Sequence, residues 1–224
     1  MLPRTGHRVV VKVGGSHAAD RARIGAILRE VTGSPVRTVI VPGGGPFADA
    51  VREAQAALGF SDRLAHKLAI EAMNAFAKVL VELFPALVLA TSRREIDGGH
   101  AAGRIPVWCP TSMLQGQRGV PENWGMTSDS FAAWLAFELD AAGLVIVKSR
   151  DGPQTATPAD LTAAGITDDA FPGFVSRLGC PVRLVGPAAL DDLGELLGKP
   201  TAPIGTSVMT RSGPRATPRP EPGT

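Results

Sequence analysis

Val9-Val10-Val11-Lys12-Val13-Gly14-Gly15-Ser16 is the stretch whose reading sets the fold. Four valines with one lysine among them read as a strand buried on both faces, as inside a parallel sheet. Two glycines end the strand and a hydroxyl follows; glycine permits tight turns and close approach of a ligand to the main chain. A lysine in an apolar strand is costly to bury unless it meets an anion or reaches a polar cleft. In the bland reading Lys12 snorkels near a strand end and the glycines make an ordinary turn. A second glycine turn soon after, Pro42-Gly43-Gly44-Gly45-Pro46, favours a phosphate site instead.

Outward from this stretch the chain alternates strand and helix. Residues 20–31 place Ile24, Ile27, Leu28 and Val31 at helical spacing. Residues 36–41 form a second β-branched strand, and after the second turn Phe47, Val51, Ala54 and Leu58 repeat the helical pattern. Strand, helix, strand, glycine turn and helix call for a parallel sheet with right-handed crossovers. Ligands of such sheets sit beyond the carboxyl ends of the strands, where both glycine turns lie. A helix opening at Pro46 points its free amides at the same cleft. Neither turn has Walker A spacing, and neither fits Gly-x-Gly-x-x-Gly.

Residues 61–83 form a long helix capped at Ser61 or Asp62, with His66 by default on its surface. From His66, Arg63 and Ile70 share a face that can look onto a substrate. Residues 86–90 and 105–109 read as strands, 98–103 as loop, and Pro110 as the start of a short helix. Residues 116–125 are a polar loop carrying Trp124. Thr127-Ser128-Asp129-Ser130 reads as a helix N-cap that can also face a cleft, followed by Phe131, Trp134, Leu135 and Leu139 on one side of the helix. Strands are expected at 144–147, 181–185 and 204–208, and helices at 158–164, 171–178 and 188–197. The Pro-, Arg- and Thr-rich residues beyond Met209 read as a disordered tail.

Composition narrows the partners. The chain has 224 residues, 44% of them hydrophobic, and a net charge of +2, with much of the basic excess in the tail. Tyrosine is absent and aromatics are few, so neither a basic face nor a stacking platform for nucleic acid is evident. No apolar run approaches a membrane span, and residues 1–8 lack a signal-peptide core, which points to the cytoplasm. Cys109 and Cys180 read as small core fillers in a reducing compartment. The four histidines, His7, His17, His66 and His100, have no ligand spacing, so no zinc site is expected.

Lys12-Val13-Gly14-Gly15-Ser16, Pro42-Gly43-Gly44-Gly45 and Thr127-Ser128-Asp129-Ser130 resemble, in that order, the motifs of the amino acid kinase superfamily. The resemblance spans about residues 8–208. It implies an α/β fold, a three-layer α/β/α sandwich with a mainly parallel central sheet. It also implies a single domain over 1–208, with the acceptor bound by about 1–140 and ATP by about 141–208. Finer features are similar to the branch that phosphorylates aminomethylfuran phosphate: residues 46–52, Ser61 through His66 to Met73, Trp124 through Ser130, and Asp169-Ala170-Phe171-Pro172. That branch makes a diphosphate in methanofuran synthesis, and methylotrophic bacteria make a related furan cofactor.

On this resemblance Lys12 and Asp129 are catalytic. Gly14, Gly15, Gly43, Gly44, Gly45, Arg52, His66 and Thr127 bind the acceptor. Ser16, Lys148, Asp151, Gly152 and Gly186 bind the nucleotide, with Mg2+ held by ATP and water and no dedicated protein metal site. The expected partners are a small phosphorylated acceptor and ATP, with no nucleic acid or membrane, in a homo-oligomer. Two departures stand out. Lys148-Ser149-Arg150-Asp151-Gly152 replaces a Thr-Asp-Val-Asp-Gly turn, and the segment carrying a second catalytic lysine in acetylglutamate kinases is missing. Lys148 and Arg150 are both open as that second cation. Rival readings are a kinase for isopentenyl phosphate, uridylate or an acetylglutamate-like acid, and a non-catalytic oxyanion binder like the superfamily's molybdenum storage protein.

Overall fold

A computed structural model describes residues 5–117 and 119–210; the tail expected beyond Met209 lies, from residue 211 on, outside the described residues. The valine stretch is the inner strand β1 (Thr5–Val13), with Val9, Val10, Val11 and Val13 fully buried. It pairs in parallel with β2 (Val36–Pro42) on one side and β5 (Gly143–Val147) on the other. The other strands are β3 (Leu87–Ala90), β4 (Ile105–Trp108), β6 (Thr155–Ala156), β7 (Val182–Val185) and β8 (Thr206–Val208). They form one sheet in the order β3-β4-β2-β1-β5-β7-β8-β6. Among the described residues only the β7–β8 pairing is antiparallel. The two-residue β6 carries no legible period and is absent from the sequence reading.

Strand alternation sends successive side chains to opposite faces, so β1 feeds two cores. Val9, Val11 and Val13 meet Ile24, Ile27 and Leu28 of α1 (Arg21–Gly33) and Leu193, Leu196 and Leu197 of α9 (Leu193–Gly198). Val10 meets Phe131 and Leu135 of α6 (Ser128–Glu138), joined there by Phe171 and Phe174 of α8 (Phe171–Val175). Helices therefore cover both faces of the sheet, the three-layer arrangement expected. Trp108 and Trp134 stack with ring centroids 5.7 Å apart in the second core.

Several expectations are corrected. Residues 98–101, read as loop, belong to helix α4 (Arg93–Ala101). The Ser92 side chain caps it by accepting from the Glu95 N–H, and Gly99 serves packing, because a Cβ there would lie 3.0 Å from Pro106 and Val88. The single helix expected over 188–197 is a 3-10 turn at Pro187–Ala189 followed by α9. Leu190 and Leu193 each bond three residues back, which closes a tight turn before any α register starts. In α2 (Gly45–Leu58) the stripe Phe47, Val51, Ala54 and Leu58 does not face the core: Phe47 and Leu58 are exposed, and Ala48 is the buried residue. Helix α6 is buried nearly all round rather than on one side, from Asp129 through Ala136. Among the described residues no helix is long and apolar enough to cross a membrane.

Candidate active site

The two glycine turns are pressed together at the carboxyl ends of β1 and β2. A Cβ on Gly15 would lie 2.2 Å from the Gly45 nitrogen, and one on Gly43 would lie 2.4 Å from the Gly15 nitrogen. Gly45 also takes a positive φ of 54°, open to glycine at little cost. These approaches explain why both turns are glycines. They leave the start of α2 facing the end of β1.

Lys12 lies two residues beyond Val10, so it points to the α6 side of the sheet. Its neighbour in register on β5 is Ile146, and Lys148 follows two residues later on the same side. Both ammoniums meet one carboxylate at the first turn of α6. Lys12 Nζ lies 2.9 Å from Asp129 Oδ1, and Lys148 Nζ lies 2.7 Å from Asp129 Oδ2. All three side chains are largely buried. Burial alone would raise the Asp129 carboxyl, but the two ammoniums outweigh it and hold the group below its ordinary value. Burial, then repulsion from Lys12, brings Lys148 down from 10.5 to about 8 despite Asp129. Arg150, the other candidate second cation, instead donates to the Ala164 carbonyl. His17, buried behind Gly14, is pushed down to about 4, chiefly by burial, and adds no charge at neutral pH.

Thr127 occupies the N-cap position of α6, as the sequence suggests, but its hydroxyl does not cap the helix. A residue that sequence reasoning missed does so. Asp168 Oδ2 accepts from the Thr127 N–H at 3.0 Å, the Thr127 hydroxyl at 2.8 Å and the Ser130 N–H at 3.1 Å. Its Oδ1 accepts from the Ser130 hydroxyl. The carboxylate thus braces the helical turn that presents Asp129. Nothing local in Thr167-Asp168-Asp169 announces this role.

A cavity of about 260 Å³ lies beside the triad, with Gly15, Ser16, Gly44, Gly45, Thr127 and Ser128 among its walls. Asp49, Arg52, His66, Met73, Trp124 and Phe131 also line it. Of the residues expected to bind the acceptor, Gly15, Gly44, Gly45, Arg52, His66 and Thr127 line this cavity, whereas Gly14 and Gly43 do not. Ser16, assigned to the nucleotide, lines this same cavity. His66 is corrected from a surface residue to a buried one on α3 (Asp62–Leu83), 5.7 Å from the Phe131 ring. Its Nδ1 hydrogen-bonds the Asn123 carbonyl at 3.0 Å, and burial lowers its pKa. Arg52 pairs with Asp49 at 2.8 Å and lies 4.4 Å from the Trp124 ring centroid. The remaining nucleotide candidates cluster past β5 and β7. Asp151 Oδ1 accepts from the Ala188 N–H at 3.0 Å, a Cβ on Gly186 would strike Asp151, and one on Gly152 would strike Thr206.

Residues 7–161 match the model of the amino acid kinase family. The chain is 31% identical over 147 residues to (5-(aminomethyl)furan-3-yl)methyl phosphate kinase of Methanocaldococcus jannaschii, an alignment covering 64% of this chain and 66% of that protein. The fold is similar to uridylate kinase of Archaeoglobus fulgidus, with a TM-score of 0.67 at 16% identity over 90% of this chain and 99% of that one. It is also similar to aspartate kinase of Synechocystis, with a TM-score of 0.64 at 18% identity over 95% of this chain and 40% of that one. The chain belongs to the amino acid kinase family.

Proposed function

We propose that this protein is an ATP-dependent kinase that extends a phosphate monoester to a diphosphate, with aminomethylfuran phosphate as acceptor. The buried Lys12–Asp129–Lys148 cluster beside the interlocked glycine turns carries the reading. Phosphoryl transfer asks mainly for in-line placement and neutralised charge. An acceptor phosphate oxygen attacks the γ-phosphorus, a new P–O bond forms, and the bond to ADP breaks. Lys12 and Lys148 offset the charge spread over the moving group, and Asp129 holds both side chains in place. Amides of Gly15, Gly44 and Gly45 cradle phosphate oxygens. The acceptor phosphate has a second pKa of about 6 and needs no general base at neutral pH.

The donor set fits magnesium bound through ATP. Both Asp129 oxygens are taken by ammoniums, and no cluster of three metal-ligating side chains exists among the described residues. Magnesium would thus be held by phosphate oxygens and water, and its chemistry is neutralisation of the polyphosphate. Support for the furan acceptor comes from the 31% identical relative and from the aromatic residues Trp124 and Phe131 in the cavity lining. The test is ADP release from ATP with aminomethylfuran phosphate, UMP and isopentenyl phosphate. Turnover highest on the furan supports the reading. Preference for another acceptor, or ATP binding with no turnover on any, refutes it.

A further inference from the structure

The polar lining of the acceptor cavity is sorted by hydrogen-bonding character. At the glycine end stand donors: the amides of the two turns, with Lys12 behind them. The lining also holds groups that accept. Asp49 is the carboxylate among the lining residues. His66 Nδ1 faces a backbone carbonyl, which only accepts, so Nδ1 carries the proton and Nε2 of the neutral ring is an acceptor. The Thr127 hydroxyl spends its proton on Asp168, so only lone pairs are left for a ligand. Arg52 is the cation among the lining residues, already engaged by Asp49 and drawn over Trp124. Trp124 in turn gives its indole N–H to Gln55 at 2.7 Å.

Gly45, Ala48, Asp49 and Arg52 fall at i, i+3, i+4 and i+7 of α2 and all line the cavity. Four residues at 1.5 Å rise set Asp49 about 6 Å along the helix from the phosphate-cradling turn. One molecule with a phosphate at one end and a hydrogen-bond donor at the other, a small ring apart, bridges that interval.

We propose that Asp49, His66 and Thr127 form a subsite for a protonated primary amine on the acceptor. The inference rests on the acceptor-binding reading of this cavity, and it assigns what the far end selects. An ammonium offers three donors to three acceptors, with Asp49 supplying the opposite charge. An acceptor without a donor at that end would leave these groups unpaired once water is displaced, which is how a polar site rejects an analogue.

The test compares (5-(aminomethyl)furan-3-yl)methyl phosphate with the compound bearing methyl in place of aminomethyl, by calorimetric binding to the full chain and by ADP release. Wild type is expected to bind the amine at least about tenfold tighter, the size of one charge-assisted hydrogen bond. Asp49→Asn, which keeps the shape and removes the charge, is expected to bring that ratio to about twofold or less. Arg52→Met controls for release of the partner cation and keeps the preference for the amine. A ratio near one in wild type, or a ratio that Asp49→Asn leaves unchanged, overturns the subsite. Amine-dependent binding without ADP release supports the subsite and refutes the furan kinase reading, so the two fail separately.

Discussion

Lys148 makes the site sensitive to alkaline pH. Its ammonium has an ordinary value of 10.5 and falls to about 8 in the fold, because burial and the Lys12 charge outweigh the pull of Asp129. That difference of about 2.5 in pKa corresponds to roughly 3 kcal/mol between protonated and neutral forms. Two consequences differ in sign. Raising pH through about 8 discharges one of the two cations proposed to meet the moving phosphoryl group, so kcat/KM for ATP should fall on an alkaline limb centred there. Over the window from about 8 to 10.5 the unfolded chain holds a proton that the folded one has lost, so this group's contribution to stability rises with pH. Bound polyphosphate brings negative charge next to Lys148, which raises its pKa; the limb in kcat should therefore lie above that in kcat/KM. Arginine stays charged throughout this range, so Lys148→Arg should remove the limb from whatever activity it retains. The assay is ADP release from pH 6 to 10 in wild type and Lys148→Arg, with the lysine titration followed directly by NMR of Cε-labelled protein. A Lys148 titration at its ordinary value, or the same limb in Lys148→Arg, refutes the reasoning.

Other perturbations bear on neighbouring parts of the site. Lys12→Met is expected to lower kcat about 100- to 1000-fold with the fold intact by circular dichroism, the usual effect of losing one preorganised donor. Asp168→Ala should lose about 1–3 kcal/mol in a denaturant titration, because it strips four hydrogen bonds from Thr127 and Ser130. It should lower kcat more than it raises KM, since Asp129 loses its brace; Asp168→Asn should recover part of both. Gly15→Ala, whose Cβ would fall 2.2 Å from the Gly45 nitrogen, should cost at least about 1–3 kcal/mol and suppress turnover, measured by thermal melts and ADP release. Trp108→Ala opens the stacked pair with Trp134 and should cost about 3–5 kcal/mol in the same melts.

What the sequence reveals of this molecule follows the range of the interactions involved. Lys12 and the glycine turns are legible because their constraints are local: an apolar strand with a period of two, then residues that must lack side chains. Lys148 over Arg150 is a parity question. Leu144, Ile146 and Lys148 alternate onto one face of β5, the face that carries Asp129, and the chain leaves the strand before Arg150. That could be read from the strand alone once its register is known. His66 and Asp168 are of another kind. His66 is buried by Asn123 and Phe131, 57 and 65 residues further on, and Asp168 braces residues 38 and 41 before it. No short-range pattern encodes such contacts. The helical pattern of α2 does not mark its buried face either: Phe47 and Leu58 are exposed, and Gly45, Ala48, Asp49 and Arg52 line the cavity instead.

The place of the site follows from the order of the strands. From β1 the chain moves to one side, to β2, through α1, whose apolar residues pack on the Val9, Val11 and Val13 face. It enters β5, on the other side of β1, from α6, which packs on the Val10 face. The connections flanking β1 therefore lie on opposite layers, and a crevice opens beyond its carboxyl end, as in other open α/β sheets. Four things converge at that crevice: the end of the α6 layer bearing Asp129, the two lysines from adjacent strands, and the glycine turn that starts α2. Two ammoniums around one carboxylate leave the crevice with a net charge of about +1, held by packed strands rather than mobile loops. Such an excess is unfavourable in the empty protein and favourable once an anion enters. A polyphosphate supplies the compensating charge, whereas a neutral ligand would leave the buried excess unanswered.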